Sequence, residues 1–488
     1  MPSAPIPQEV IDNVIDYIHD DRETLTTCLQ VSRQFHPRSQ KHLFTTVTIN
    51  YPSVPRPGCR HPAQRLLDIL LADPALARHI HHFRVFGFVE GYYTNKANAV
   101  GGLHLRFISC SQPDTVYPSL FALLARHSSL RSFTFQGNPS IAQLYEENRG
   151  LLPTQNFSLL LMNMLRKTRI VELNLSRLVQ FPLARVVDSA AHLKILHVQL
   201  MMCRRSDALG SVDEVKFPVP ADADANSSKS NLGLDSLELD EYSLSCINYH
   251  GFYASSQARA LHPFSRLQAL TIYGNIVLME GVPSKIIANA AATLKSFSWE
   301  FLREPYMPVA FNHGASLNLE SAMNLRSLRF AFLNCDTVMS IYIPWVVSSL
   351  KSISKHGKLE QLDILFTIPG PSTYNHSFPD TFCQLFKQYD ACASALGSLL
   401  ADSCKFPALQ KVHVVLEYHG YEYSWLQLHK DGRSHWRERN VDLGAVEKLG
   451  RDVREKFGML WERGMLDFHI VRVDYACRGL KFLDRFIQ

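Results

Sequence analysis

Hydrophobic and polar positions alternate in two different ways along the chain. The first fifty residues carry apolar side chains at helical spacing, which predicts short helices. Along most of the remainder a hexamer recurs at intervals, with apolar residues at its first, fourth and sixth positions, which predicts many short strands. We therefore expect a small helical region followed by a long repeated one.

The N-terminal pattern predicts three helices. Pro7 has its φ angle already set for a first helical turn, and Glu9 suits the positive end of the helix dipole. One apolar stripe follows, made of Val10, Ile11, Val14, Ile15 and Ile18. A second helix is expected from Arg22 and a third near 38–44. About forty residues cannot hide this much apolar surface alone, so the rest of the chain or another protein must cover it.

These residues resemble the F-box family. The matching positions are Ile6, Pro7, Glu9, Val10, Ile11, Val14, Ile15, Ile18, Leu25, Cys28, Leu29, Val31, Ser32, Arg33, Phe35, Leu43 and Phe44. Phe35 stands where the family usually has Trp, which leaves a smaller anchor. The resemblance implies binding to the small adaptor subunit of a cullin-RING ubiquitin ligase. The implied contacts are Ile6, Pro7, Glu9, Val10, Ile11, Val14, Ile15, Leu25, Leu29, Val31, Phe35 and Leu43.

Ten copies of the hexamer follow. They begin at Ile80, Leu130, Ile170, Leu193, Leu234, Leu267, Leu294, Leu325, Leu359 and Leu409. Helical patterns precede several copies, at 117–126, 157–166, 285–292 and 344–355. Strands that alternate with return helices stack into a parallel sheet with helices on one side. The array, roughly residues 76–417, resembles leucine-rich repeats. That resemblance implies an α/β solenoid with the sheet on its concave side and the helices on its convex side.

The repeat is degenerate. Only Asn138 and Asn275 complete the longer form that ends in Asn, and the segments 51–62, 91–117 and 206–231 interrupt the array. We divide the chain into a helical F-box-like domain (1–50), the repeat array (51–417) and a C-terminal cap (418–488). An amphipathic helix over 443–461 and a strand over 468–473 are expected in the cap, where the helix could alternatively bind a partner.

Composition limits the possible functions. Hydrophobic residues make up 46% of the 488 residues, which excludes wholesale disorder. A net charge of +5 is too small to be a nucleic-acid footprint by itself. No signal peptide or membrane-spanning run is apparent, so we expect a soluble protein of the cytoplasm or nucleus, with no membrane partner. The ten cysteines form no CxxC pair, and reduced thiols are expected.

No catalytic or cofactor motif is present in the sequence. His79, His81 and His82 are close together, but neighbouring strand residues point to opposite faces and do not converge on a metal. We therefore predict a non-enzymatic protein with no cofactor and no metal site. An α/β enzyme would need convergent titratable residues, which the sequence does not reveal.

The strand residues that flank the apolar ones are free to meet a ligand. Among thirty such positions five are acidic and three basic, so the face is acidic although the chain is basic. This opposes nucleic-acid binding and favours a protein target with a basic segment. The expected target contacts are Glu172, Glu238, Asp240, Tyr273, Glu300, Arg329 and Asp363.

Two hypotheses therefore remain open. In the first, the chain is the substrate receptor of an SCF-type cullin-RING ubiquitin ligase. In the second, it is a leucine-rich-repeat scaffold unrelated to ubiquitin, whose N-terminal helices are a cap. They differ in whether Val10, Ile11, Ile15 and Leu29 face solvent or pack against residues 43–85.

Overall fold

The computed structural model describes most of the predicted elements. The described residues are 6–50, 62–88, 91–97, 103–109, 116–137, 155–178, 181, 183–199, 233–240, 243–244, 264–274, 281–301, 317–332, 339–368, 390–419, 421–423, 436–438 and 451–473. The chain divides into two compact units, one formed by residues 1–233 and 242–261 and the other by 234–241 and 262–488. The predicted positions Asn138 and Asn275, the 206–231 interruption and residues 51–61 of the first interruption lie outside the described residues.

The first unit opens with the three expected helices, α1 (Gln8–Tyr17), α2 (Arg22–Val31) and α3 (His36–Thr45). Asp21 caps α2, because its carboxylate accepts hydrogen bonds from the backbone N–H groups of Glu23 and Thr24. Pro37 lies in the first turn of α3, where its missing N–H costs nothing.

The rest of the first unit alternates strands and helices. In chain order these are β1 (Thr46–Asn50), α4 (Pro62–Ala72), a 3-10 helix (Pro74–His79), β2 (His82–Phe88), β3 (Gly91–Ala97), β4 (Leu103–Ser109), α5 (Val116–His127), β5 (Ser132–Gly137), α6 (Gln155–Lys167), β6 (Glu172–Ser176), α7 (Leu183–Ser189) and β7 (Ile195–Gln199). Strands β1, β2, β5, β6 and β7 pair in parallel in that order. Strands β3 and β4 form a separate antiparallel pair.

The second unit repeats this architecture. Its elements are β8 (Ser236–Asp240), β9 (Ala269–Tyr273), α8 (Val282–Asn289), β10 (Ser296–Phe301), β11 (Ser327–Phe332), α9 (Met339–Ser352), β12 (Gln361–Ile368), α10 (Asp390–Ala401), β13 (Lys411–His419), β14 (Tyr421–Tyr423), β15 (Trp436–Glu438), α11 (Gly458–Glu462) and β16 (Leu466–Val473). Strands β8 to β13 and then β16 pair in parallel. Strands β14 and β15 pair antiparallel. Both units are therefore α/β, as the sequence predicts.

Each hexamer forms one parallel strand that starts two residues after its first apolar position. All thirty apolar side chains of the ten copies are buried, and Leu409 is the most exposed at 7%. Equivalent positions lie opposite one another, as Leu328 and Leu362 do. The apolar side of the strands packs on the helices, since Phe121 of α5 contacts Phe133 edge to face. The hexamer thus defines the strands and the direction of their buried faces.

Backbone hydrogen bonds fix this alignment. In every hexamer that follows another in the same unit, the N–H groups of its second and third residues donate to one carbonyl of the preceding copy, at 2.8 to 3.1 Å. Lys295 and Ser296 both donate to the carbonyl of Gln268, and Gln410 and Lys411 both donate to that of Glu360. Such shared acceptors satisfy both donors where each strand enters the sheet.

The parallel strands extend beyond the ten predicted copies at both ends. Strand β1 pairs with β2, and Val47 lies opposite Phe83, which makes Phe44, Val47 and Ile49 a further complete hexamer. Strand β16 pairs with β13 and has the polar Arg463 where a first apolar residue is expected. The expected strand over 468–473 is confirmed as part of β16.

Residues 443–450 of the expected amphipathic helix lie outside the described residues, and 451–456 and 458–462 are helical. Val453, Phe457 and Leu460 on that helix are buried. The Arg463 guanidinium donates to the carbonyl of Ala401 at the end of α10. Among the described residues, no helix combines the length and the apolar character of a membrane span.

Aromatic side chains fill the core of the second unit. Phe332 stacks between Phe301 and Phe366, at ring-centroid distances of 4.6 and 5.2 Å, in register across β10, β11 and β12. Trp345 of α9 packs against this row, with its ring nearly perpendicular to that of Phe301 at a centroid distance of 5.4 Å. In two copies the position where the longer repeat form has Asn holds the buried Thr367 and Glu417, and the Thr367 hydroxyl donates to the Glu417 carboxylate at 3.1 Å.

We predict that Phe332→Ala lowers the free energy of unfolding of the second unit by about 3 to 5 kcal/mol. The substitution leaves a cavity between two stacked rings and removes both contacts. Denaturant unfolding measures the loss, and Met323→Ala, which truncates an exposed side chain of the same unit, is the control. A loss no larger than that of the control would contradict the central role of the stack.

Candidate interaction surfaces

Helix α1 has two apolar sides. On its inner side Ile11 and Ile15 are buried against Leu25 of α2, and Ile18, Cys28, Phe35 and Leu43 pack around them. Most of this cluster comes from the three helices themselves. The N-terminal helices therefore share a small core of their own.

The outer side of α1 presents Ile6, Val10, Val14 and Tyr17, which we call the outer stripe. Their exposed fractions are 63%, 50%, 59% and 90%. Spacings of four and three residues place Val10, Val14 and Tyr17 on one face of α1, and Ile6 precedes the helix, which begins at Gln8. Val10, Asn13, Val14, Tyr17 and Ile18 line a shallow depression of about 330 Å³ on this face. Contiguous exposed apolar side chains of this kind are typical of a surface that another molecule covers.

An ion-pair cluster holds α1 on α3. The Arg38 guanidinium donates two N–H groups to the two carboxylate oxygens of Asp16, and the His42 imidazole lies 2.7 Å from the same carboxylate. These contacts, the Arg38 bond first and the His42 bond second, hold the pKa of Asp16 well below its usual range. The orientation of the outer stripe depends on this cluster.

Helix α3 connects the three helices to the rest of the first unit. It packs against α1 and α2 on one side and against the 3-10 helix and β1 on the other. Thr45 ends α3 and Thr46 begins β1, so no linker separates the helix from the sheet. The helical region is thus mounted directly on the first parallel strand.

The residues expected to bind the adaptor fall into three groups in the structure. Six are exposed, namely Ile6, Pro7, Glu9, Val10, Val14 and Val31. Three are half-buried, namely Leu29, Phe35 and Leu43. The remaining three, Ile11, Ile15 and Leu25, are buried in the core of the three helices and support the surface rather than form it. Of the four residues that distinguish the two hypotheses, Val10 is exposed and Leu29 is half-buried. Ile11 and Ile15 are buried in the core of the three helices, to which residues 43–85 contribute only Leu43.

We predict that Asp16→Asn loosens α1 at neutral pH, by about 1 kcal/mol because the pair is partly solvent-screened. The folded pKa of Asp16 lies below its unfolded value, so its contribution is complete above the unfolded pKa of about 4 and is lost as the pH falls toward the folded pKa. Hydrogen exchange of residues 8–45 should be about fivefold faster in the variant at pH 7. The ratio should shrink toward one in acid.

The matched control for this measurement is Asp20→Asn, which changes a carboxylate that is 92% exposed. Its exchange should match that of the unchanged protein at every pH. A pH-independent effect of Asp16→Asn would contradict the ion-pair explanation.

A row of polar side chains crosses the second unit on the face opposite its apolar core. Register places one residue of each strand in this polar row, namely Glu238, Thr271, Ser298, Arg329, Asp363, His413 and Asp467. All seven are half-buried. Because strand neighbours in register lie about 5 Å apart, each member can contact the next across the sheet. Residues separated by hundreds of positions in sequence thus form one surface.

Three of the expected target contacts, Glu238, Arg329 and Asp363, lie in the polar row, and Glu300 lies beside it on β10. Asp240 and Tyr273 are also on this side of their strands, but both are only 4% exposed. They offer a partner little surface in this conformation. Glu172 belongs to β6 of the first unit and accepts a hydrogen bond from Asn174 at 2.9 Å.

The acids of this face have partners within it. The Tyr273 hydroxyl donates to the Glu238 carboxylate, and Arg329 lies 3.9 Å from Glu300. The Gln361 amide donates to Asp363 at 2.9 Å. Of these three partners only Arg329 carries a positive charge, so the hydrogen bonds orient the carboxylates without neutralising them.

At the β13–β16 side of the row, four titratable side chains meet. The Lys411 ammonium lies 2.9 Å from the Asp467 carboxylate, and the His469 imidazole lies 2.6 Å from it. His413 lies 3.8 Å from Asp467 through Nε2 and 3.7 Å from Asp363 through Nδ1. The Lys411 bond, above all, lowers the pKa of Asp467, which is therefore a carboxylate near neutral pH.

Sequence reasoning did not find this cluster, because β16 was not recognised as a copy of the repeat. The signal was present in the alternation of polar Asp467 and His469 with apolar Leu466 and Phe468. Only the pairing of β16 with β13 brings these residues beside His413.

No protein-family model matches the chain, and no curated protein matches it.

Proposed function

We propose that this protein is the substrate receptor of an SCF-type cullin-RING ubiquitin ligase. The observation that carries the proposal is the outer stripe, in which Val10, Val14 and Tyr17 are exposed on a helix whose opposite side is already buried and Ile6 is exposed just before that helix. An amphipathic helix with a spare apolar face fits a groove on a partner. The F-box resemblance supplies the class of that partner, the ligase adaptor.

In this proposal the receptor breaks no bonds. The helices attach the chain to the ligase, and the polar face of the strands holds a protein target. Transfer of ubiquitin is accelerated because target lysines are kept at a high effective concentration near the loaded enzyme. Direct continuity of α3 and β1 supports such a role, since it fixes the docking helices on the first unit.

The alternative is a repeat scaffold in which the helices are an N-terminal cap. The observation that favours it is the packing of α3 against the 3-10 helix and β1. A cap explains α3, but it leaves the outer stripe of α1 exposed. The two hypotheses therefore differ in the behaviour of α1 alone.

We predict that the double substitution Val10→Asp and Val14→Asp weakens adaptor binding by at least about thirtyfold, because it places two charges in a desolvated apolar contact. Isothermal titration of the full chain with the purified adaptor measures the affinity. The helices should remain folded, because both side chains point away from the core formed by Ile11, Ile15 and Leu25.

Thr26→Asp is the matched control, since it adds a charge at an exposed position of α2. It should bind the adaptor as the unchanged chain does. Absence of adaptor binding by the unchanged chain would reject the ligase proposal in favour of the scaffold. Equal binding by the double variant would reject the outer stripe as the contact.

The polar face of the second unit is proposed to hold a basic segment of the target. We expect Glu238→Gln with Glu300→Gln to weaken binding of a Lys-rich model peptide about threefold to tenfold at low salt, and less at high salt, because screening shortens the range of the attraction. Fluorescence anisotropy over a salt series measures this, with Glu320→Gln as an exposed control. Identical affinities across the series would remove the basic-target proposal.

A further inference from the structure

The cluster at the junction of β13 and β16 has a donor set that the proposed function does not use. Among the described residues, His413, Asp467 and His469 are the one group of His, Cys, Asp or Glu side chains whose potential ligand atoms all lie within 4.8 Å of one another. Two come from one strand and the third from its neighbour, with His413 directly opposite Asp467 in register. Alternation along β16 puts Asp467 and His469 on the same face.

From this geometry we propose that His413, Asp467 and His469 form a binding site for a divalent transition-metal ion, with zinc the best match. Two imidazole nitrogens and one carboxylate oxygen are a donor set that suits zinc. Three protein ligands leave the fourth tetrahedral position open to water or to a group from another molecule.

The separations are close to those that a bound ion requires. Zinc binds nitrogen and oxygen at about 2.0 to 2.2 Å, so tetrahedral ligand atoms lie roughly 3.3 Å apart. His469 lies 2.6 Å from Asp467, a direct contact that an ion between them would widen, and His413 lies 3.8 Å from Asp467. A side-chain rotation closes the remaining gap between the two imidazoles, whose ring centroids are 5.3 Å apart in an edge-to-face arrangement. His469, whose side chain is 53% exposed, is free to make that rotation.

A neighbouring carboxylate lies beside one of the proposed ligands. Asp363 of β12 lies 3.7 Å from Nδ1 of His413, while Nε2 of the same ring faces Asp467. With the metal on Nε2, the proton on Nδ1 faces the negative charge of Asp363, the outer-shell arrangement common at histidine ligands. Gln361 donates to Asp363 and holds it in place. Ligand and supporting carboxylate therefore come from three adjacent strands.

Lys411 is the competitor for this site. Its ammonium, 2.9 Å from Asp467, provides the positive charge that the carboxylate needs when no ion is bound. Metal binding transfers this role to the ion and releases the Lys411 side chain, which is 51% exposed and can move into solvent. The bound ion cross-links β13 and β16 and stabilises the last strand by mass action.

The test uses the full chain after treatment with a chelator. Zinc titration against a chromophoric chelator should give one more tight site in the unchanged chain than in the double variant His413→Ala with His469→Ala. Cobalt(II) as a probe should give visible absorption typical of tetrahedral coordination in the unchanged chain and lose it in the double variant. His356→Ala, an exposed histidine elsewhere in the second unit, is the control and should keep both signals.

Two further variants keep the proposal testable if the double variant is unstable. Lys411→Gln should tighten zinc binding about fivefold to tenfold, because it removes a cation next to the ion. Asp363→Asn should weaken binding about tenfold, as loss of a supporting carboxylate does at histidine sites. Equal stoichiometry in the unchanged chain and the double variant, or no tightening in Lys411→Gln, would overturn the site. Neither result depends on whether the chain binds a ligase adaptor.

Discussion

The whole architecture depends on where each strand enters its sheet. Within each unit, one carbonyl of a predicted copy accepts two N–H groups from the predicted copy that follows it, and all ten strands of these copies start at the third position of the hexamer. With the start fixed, alternation of side chains sends the fourth and sixth residues to the core and the third and fifth to the opposite face. Copies whose starts lie 23 to 50 residues apart along the chain still align, because these backbone contacts and not the length of the intervening segment set the register.

Pairing of the strands in register then brings residues of different copies together into continuous surfaces, although the repeat itself is degenerate. Phe301, Phe332 and Phe366 stack on the core side, and Arg329, Asp363 and His413 line up on the other. Neither row is visible along the chain, since its members are about thirty to fifty residues apart. Each appears only when the copies are aligned by their shared backbone contacts.

Much of the fold was predictable from the sequence, because burial at three positions in six is a strong local signal. The β1 copy was missed although Phe44, Val47 and Ile49 satisfy the pattern, since Phe44 also fits the end of the F-box motif. The β16 copy was missed because Arg463 is polar.

The candidate surfaces were less accessible to prediction. Helical spacing placed Val10 and Ile11 in one stripe, and only the packing of α1 on α2 separates the exposed side from the buried one. The burial of Asp240 and Tyr273 likewise depends on neighbours that the pattern does not specify.

The direct passage from α3 into β1, with no linker between Thr45 and Thr46, has a mechanical consequence. A helix that continues directly into a hydrogen-bonded strand cannot rotate freely about the junction, because the backbone dihedral angles there are fixed by the pairing of β1 with β2. A force that rotates α3 therefore acts directly on the first sheet, because no flexible linker lies between them to absorb the rotation. The orientation of any molecule bound to the N-terminal helices, relative to that sheet, would therefore be set by the backbone itself.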